Sequence, residues 1–200
     1  MTVLLIHSTF GPAPEPYAEL AQLNSIRIVR DRELTAGGLD EATGLITGIH
    51  LDQDGLFAQS EALQALLDRG GRLFFNGHIM RPLVDGLRPY VPLERPNRAS
   101  YTLTRLSEHP IFSGIDQRSL EENRGVAGFY GRGHNPMPEG ARAINGIGPA
   151  LLPIDWEWTL PGGGKMFCHS GNDIGGMSRD SGHAALLMER VTAWCAGEIG

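Results

Sequence analysis

Histidine side chains follow four predicted β-strands of this chain, each at the point where the strand ends. His7 ends the run TVLLIH, His50 ends GLITGIH, His78 follows LFFNG and His169 follows KMFC. In an open parallel α/β sheet, the carboxyl ends of the strands border the crevice in which ligands bind. Because an imidazole titrates near neutral pH, this edge of the sheet is suited to acid–base chemistry or metal coordination.

His78 is the first candidate for a catalytic residue. It follows a buried strand and the pair Asn76-Gly77, where the glycine permits a tight turn that would lift the next side chain out of the sheet. We expect His169 and Asp173 to complete a catalytic group that acts by general acid–base catalysis. The alternative is a histidine that is hydrogen-bonded within a packed loop and has no role in function.

Three further side chains are expected to contact a ligand at the same edge: His7, Asn76 and Trp156. We predict that His7, His78 and His169 border one pocket. A His78→Ala variant separates the two interpretations, because a packing histidine would lose only stability, about 1–3 kcal/mol for a buried hydrogen bond.

A divalent metal ion would need three or four converging ligands. No compact signature such as His-x-x-x-His occurs, so convergence depends on the fold, and the presence and identity of a metal stay open. No other cofactor is indicated. The candidate ligands are His7, His50, His78 and His169, with the carboxylates Asp52, Asp54 and Asp173.

Cys168 precedes His169, and a thiolate beside a histidine would be an activated nucleophile. A strand followed by Cys-His-x-Gly is similar to the DJ-1/PfpI proteins. The residues at 172–176 do not lead directly into a helix, however, so the geometry of a nucleophile elbow is missing. Alternation along the strand also puts Cys168 with Met166 on one face and Phe167 with His169 on the other, which favours a small core residue.

The stretch DWEW alternates acids and tryptophans along a predicted strand. Asp155 and Glu157 share one face, and Trp156 and Trp158 share the other. Paired carboxylates can act on a glycosidic bond, and tryptophans can stack on a sugar. The alternatives are a solvated acidic face and two core tryptophans. The glycine-rich stretches at 162–164 and 175–176 do not match phosphate-binding patterns, so nucleotide binding is not expected.

Strands and helices alternate in the first part of the chain. The pattern predicts strands at 2–7, 25–30, 44–50 and 72–75, helices around 17–23 and 56–69, and a loop with a helical turn at 31–43. Such alternation argues for βαβ units and a parallel sheet.

The middle of the chain loses this regularity. Four prolines lie between Met80 and Arg98, and residues 121–138 are polar and glycine-rich. We interpret residues 80–140 as an insertion or lid that partly covers the pocket, although 101–106 fits a strand. Strands return at 141–147, 151–158 and 165–169, with a hairpin turn at 162–164 and hence an antiparallel extension, before a final helix at 182–196.

Composition fits one domain that spans residues 1–200. The chain is 41% apolar and 20% charged, and its net charge of -6 argues against nucleic acid or an anionic membrane as partner. No apolar run approaches the roughly 20 residues of a membrane helix, and no secretory signal is expected. Two cysteines do not make a disulfide framework, so a cytoplasmic protein is expected.

Three segments in this order carry a family resemblance: GRLFFNGH, HPIFSGI, and LLPIDWEWTLPGGGKMFCHSGND with the later helix that ends AWCAG. Together they resemble the ThuA-like (trehalose utilisation) proteins, a branch of the class I glutamine amidotransferase-like superfamily. The resemblance covers most of the chain. It implies a flavodoxin-like α/β fold: a doubly wound, mostly parallel sheet with helices on both faces. It also implies a link to carbohydrate metabolism, and it is compatible with a homodimer.

One departure from the superfamily bears on activity. Catalytic amidotransferases place a cysteine at the turn that here falls near Asn76, Gly77 and His78, where this chain has neither Cys nor Ser. Glutaminase activity is therefore rejected, and the ThuA-like branch also lacks that cysteine. Two hypotheses remain: an enzyme that acts on a small polar metabolite or carbohydrate, and a non-catalytic ligand-binding or assembly domain. Fold alone does not decide between them.

Overall fold

The computed structural model describes residues 2–13, 18, 21, 26–123, 126–174 and 183–200. The helix predicted at 17–23 falls mostly outside these residues, as does Ser25 at the start of the second predicted strand.

An eight-stranded sheet forms the centre of the fold. Its parallel part has the order β2 (Ile26–Arg30), β1 (Val3–His7), β3 (Gly44–Thr47), β4 (Arg72–Asn76) and β12 (Lys165–His169), with strands numbered in chain order. The antiparallel part continues with β11 (Leu152–Thr159), β10 (Arg142–Ile147) and β6 (Leu103–Arg105). Because the chain passes from β1 to β2 on one side and then to β3 on the other, the sheet is doubly wound. The predicted fold class is confirmed, including the antiparallel extension.

Strand residues alternate between two cores, one on each face of the sheet. Phe74 and Phe167 stack at 5.0 Å between ring centroids on one face, while Phe75 and Cys168 belong to the core on the other. Strands β1 and β3 are buried along their whole length, as the central strands of a parallel sheet must be when helices cover both faces.

Helices cover both faces. On the Phe74 face lies α5 (His183–Ala196), whose residues Leu187, Val191 and Trp194 are fully buried, each contributing about 1.5–3 kcal/mol. The opposite face is covered by α1 (Ala36–Glu41) and α3 (Ser60–Asp68). Two shorter helices also lie in the described part of the chain: α2 (Gln53–Phe57) and α4 (Gln117–Glu121).

Two local predictions need correction. The strand predicted to end at His50 stops at Thr47, because the chain then turns with Leu51 N–H donating to Gly48 O, and His50 lies exposed in that turn. The helix predicted at 56–69 is divided into α2 and α3. The Asp52 side chain starts α2 by accepting a hydrogen bond from Gly55 N–H, and the helical backbone is interrupted at Gln59, whose φ of -113° and ψ of 22° are not helical.

The middle segment contains more regular structure than the sequence suggests. It contributes the edge strand β6, two short antiparallel ladders, and 3-10 turns at Arg98–Tyr101 and Pro110–Phe112. The ladders pair β5 (Val91–Pro92) with β9 (Gly133–His134), and β7 (Glu122–Asn123) with β8 (Val126–Ala127). Across the described ranges, no helix combines the length and apolar character that crossing a membrane requires.

Candidate functional site

A cleft of about 270 Å³ lies at the carboxyl ends of the parallel strands. The turns after β3, β4 and β12 form one side, and residues 128–132 of the middle segment form the other. Residues 128–132, which belong to the segment predicted to be an insertion or lid, therefore line the cleft. The residues that line the cleft are Ile49, His78, Gly128, Phe129, Gly131, Arg132, Gly171 and Asn172.

The turn after β4 is built around Gly77. Its φ of +103° suits glycine, and a Cβ there would lie 3.2 Å from Ile49 Cα. Gly77 N–H donates to His169 O at 2.9 Å, which ties the ends of β4 and β12 together. Asn76, predicted to bind ligand, is buried and instead joins backbone groups: it donates to Thr47 O at 2.7 Å and accepts from Ile174 N–H at 3.1 Å.

Asn135 holds this turn from the side of the middle segment. Its side chain accepts from Ile79 N–H at 2.9 Å and donates to Gly77 O at 2.8 Å and to Cys168 Sγ at 3.0 Å. Trp156, also predicted to contact a ligand, is buried beneath it and donates its indole N–H to Asn135 O at 2.9 Å. Asn135 carries no local sequence pattern that singles it out.

Cys168 lies in the core rather than in the cleft. Its side chain is fully buried, and burial raises the pKa of the thiol far above its ordinary value. The thiol therefore stays protonated, as expected for a core cysteine.

His78 is exposed at the cleft, with its ring stacked on Tyr90 at 3.6 Å between centroids and 13° between planes. Partial burial of the ring and, to a smaller extent, the electrostatic effect of nearby His169 lower the pKa of His78 below its ordinary 6.5. The imidazole is therefore neutral at pH 7 and can take up a proton. Gln53 fixes the backbone beside it, donating to His78 O at 2.7 Å and accepting from Met80 N–H at 2.8 Å.

His169 lies just below the cleft, in a fully buried polar cluster. Its Nδ1 is 2.6 Å from Asp155 Oδ1, and Asp155 Oδ2 accepts from Tyr130 O–H and from Asn145 Nδ2, both at 2.6 Å. The pairing of β10 with β11 shifts register on either side of the Asn145–Asp155 pair. Such β-bulges change the direction in which a strand side chain points. Burial and the Asp155 charge raise the pKa of Tyr130 well above 10, so its phenol remains a donor.

Glu157 belongs to a second cluster, away from the cleft. Its carboxylate lies 3.0 Å from His109 Nε2 and accepts the Trp194 indole N–H at 3.1 Å. Arg142 and Lys165 lie 3.6 and 3.9 Å from its other oxygen. Burial raises the pKa of Glu157, but the hydrogen bond and charge of His109, with the charge of Lys165, outweigh it and lower the pKa to about 2. Two segments singled out by their resemblance, HPIFSGI and AWCAG, thus meet at this carboxylate.

The remaining predicted residues lie in different places. His7 is at the end of β1, where its Nδ1 is 2.6 Å from Thr9 Oγ1, and it does not line the cleft. Asp173 accepts from Ile49 N–H at 2.7 Å and so joins the chain after β12 to the turn after β3. The structure thus places His78 in the cleft lining and His169 buried just below it, and it places His7 elsewhere. Within the described ranges, no group of three His, Cys, Asp or Glu side chains is arranged to hold a metal ion.

The chain resembles solved structures although no family model and no curated protein matches it. The mmIFT52 N-terminal domain is 15% identical, with a TM-score of 0.60 over 98% of this chain and 97% of that one. A cytoplasmic protein from Salmonella typhimurium is 12% identical, with a TM-score of 0.63 over 96% and 98%. A GMP synthase-like protein from Thermoplasma acidophilum is 10% identical, with a TM-score of 0.59 over 99% and 95%. At these identities the likeness shows the fold alone, a doubly wound α/β sheet.

Proposed function

We propose that this chain is a ThuA-like protein that binds a small polar metabolite, such as a carbohydrate, in the cleft and acts on it with His78 as acid–base group. The observation that carries the proposal is the exposed His78 ring, fixed against Tyr90 and lining the same cleft as Arg132 and Asn172. Its lowered pKa keeps the ring neutral at pH 7, the form that a general base requires.

The side chains that line the cleft limit the kinds of reaction and ligand that we propose. Among the described residues that line the cleft there is no Cys, Ser or Thr, so a covalent acyl intermediate on a cleft side chain is not part of the proposal. Arg132 lines the cleft, and its guanidinium suits a ligand oxygen that carries or develops negative charge. A volume of about 270 Å³ falls just below the roughly 300–1,000 Å³ of drug-sized sites, which favours a small ligand.

A non-catalytic ligand-binding domain is the second candidate. A catalytic histidine is commonly oriented by a hydrogen bond to a carboxylate. In the described part of the chain, the His78 ring makes no such hydrogen bond. This observation favours a site that binds without turnover.

A thermal-shift screen with sugars, polyols and hydroxy acids tests the proposal. We expect a ligand at 100 times its Kd to stabilise the wild-type protein by about 2.7 kcal/mol. The stabilisation should be lost in His78→Ala and Arg132→Ala and kept in His50→Ala, a control histidine that lies exposed outside the cleft lining.

Product analysis by mass spectrometry then separates the two candidates. Conversion of the stabilising compound by the wild-type protein but not by His78→Ala would establish the enzyme, and binding without conversion would establish the ligand-binding domain. A compound set that stabilises the wild-type and His78→Ala proteins equally would contradict both.

A further inference from the structure

Among the described residues, one ring nitrogen of His169 has no hydrogen-bond partner. Nδ1 is engaged by Asp155 at 2.6 Å, whereas Nε2 is buried and, in the part of the chain that the structure describes, has no hydrogen-bond partner. Because Nδ1 donates to the carboxylate, the neutral ring carries its free lone pair on Nε2. Buried polar atoms are nearly always satisfied, so this exception calls for a physical reason.

His109 shows that burial and a carboxylate partner do not by themselves leave a nitrogen open. It is also buried and also pairs with a carboxylate, Glu157 at 3.0 Å from its Nε2. Its Nδ1, however, accepts from Ile111 N–H at 3.3 Å, so both nitrogens are used. Burial and a carboxylate partner therefore do not by themselves explain the open nitrogen of His169; in the described part of the chain His134 Nδ1 is also buried without a partner.

The open nitrogen lies directly beneath the cleft. A Cβ on Gly171, which lines the cleft, would be 2.8 Å from His169 Nε2 and would collide with Tyr130 O. Glycine at this position means that no side chain of residue 171 lies between the ring and the cleft. Gly171 thus forms one part of the floor of the cleft, and Gly128 and Gly131 form the opposite part.

A side-chain hydrogen bond joins the two parts of this floor. Asn172 Nδ2 donates to Phe129 O at 2.7 Å, linking the chain after β12 to the middle segment. The bond is part-buried, and both residues line the cleft, so a ligand entering the cleft meets it directly.

We propose that His169 Nε2 is a concealed proton acceptor of the cleft, which reaches a hydroxyl group of the bound ligand when the Asn172–Phe129 hydrogen bond opens. The inference rests on the proposed function, because it assumes that a hydroxylated ligand occupies the cleft. Asp155, held by Tyr130 and Asn145, fixes the ring so that Nε2 points at the floor.

Carbethoxylation by diethyl pyrocarbonate, mapped by mass spectrometry at neutral pH, tests whether Nε2 is reachable. In the folded wild-type protein we expect His169 to react more slowly than the exposed His78 but faster than the equally buried His109. Asn172→Ala should raise the rate at His169 about fivefold, the effect of losing one neutral hydrogen bond, and leave the rate at His109 unchanged. Asn97→Ala, which removes a cap of the 3-10 turn at 98–101, is the matched control and should change neither rate.

Two results would overturn the proposal: His169 reacting no faster than His109 in the wild-type protein, or Asn172→Ala accelerating both histidines equally. The wild-type comparison does not depend on how well the variant folds. Either negative result would leave the proposed function standing, because ligand binding at His78 is measured without this reagent. Failure of the ligand screen, in turn, would leave the accessibility of His169 unaltered.

Discussion

Replacing Glu157 with glutamine removes a buried charge and keeps the shape of the side chain. In the wild-type protein the carboxylate binds His109 and Trp194 and lies near Arg142 and Lys165. Glutamine can still accept a hydrogen bond through its carbonyl oxygen, so the substitution isolates the contribution of the negative charge.

The size of that contribution follows from the pKa of Glu157. A fall from 4.5 to about 2 corresponds to about 3 kcal/mol of stability at neutral pH, at about 1.4 kcal/mol for each pH unit. Because the folded-state pKa is lowered, this stability is fully present above about pH 4.5 and is lost as the pH falls towards 2.

Urea unfolding of the wild-type and Glu157→Gln proteins at pH 7, 5, 4 and 3 measures this difference. We expect the variant to be less stable by about 3 kcal/mol at pH 7 and 5, with the gap narrowing at pH 4 and further at pH 3. Glu139→Gln, which alters an exposed glutamate, serves as the control and should change stability by less than about 0.5 kcal/mol. A gap between wild type and Glu157→Gln that stays constant from pH 7 to pH 3 would refute the reasoning, because the lost stability would then not depend on ionisation.

Three further predictions concern the turn after β4 and the histidines. Gly77→Ala should destabilise the fold by about 1–3 kcal/mol in urea unfolding, because the φ of +103° strains any residue with a Cβ, and an unchanged midpoint would contradict the role of the glycine. Asn135→Ala should cost about 2–4 kcal/mol in the same assay, since it leaves Ile79 N–H and Gly77 O without partners, and a loss below 1 kcal/mol would contradict that network. The pKa values of His7, His78 and His134 are all lowered, mainly by burial. Below about pH 6.5 the unfolded chain therefore binds more protons than the folded protein, and the Tm should fall as the pH is lowered from 7.5 to 5.5. A Tm that stays constant or rises as the pH is lowered would contradict the lowered pKa values.

Local patterns were sufficient to predict most of the sheet. The buried runs that became β1 and β4 and the glycine-rich turn at 162–164 are encoded within a few residues, so their positions follow from the sequence. Alternation along β11 also separated Asp155 from Trp156 correctly between the two faces.

The environment of each site residue could not be predicted, because distant segments determine it. Glu157 fits a solvated acidic face in the sequence, but α5 and the 3-10 turn at 110–112 cover it and supply its partners. Trp156 is buried in the core beneath α1 and α3, where Asn135 from the middle segment accepts its indole N–H. Contacts between residues so far apart in the chain leave no periodic pattern in one sequence.

Titration of the protein with a stabilising compound, followed through the histidine side-chain signals in ¹H–¹³C correlation spectra, tests the central claim most directly. The chain has seven histidines, so the spectra report on seven separate positions. We predict that the His78 signal moves with the ligand concentration, while those of the exposed His50 and the buried His109 stay in place. A His78 signal that does not move while His50 or His109 shifts would contradict the assignment of this cleft as the ligand site.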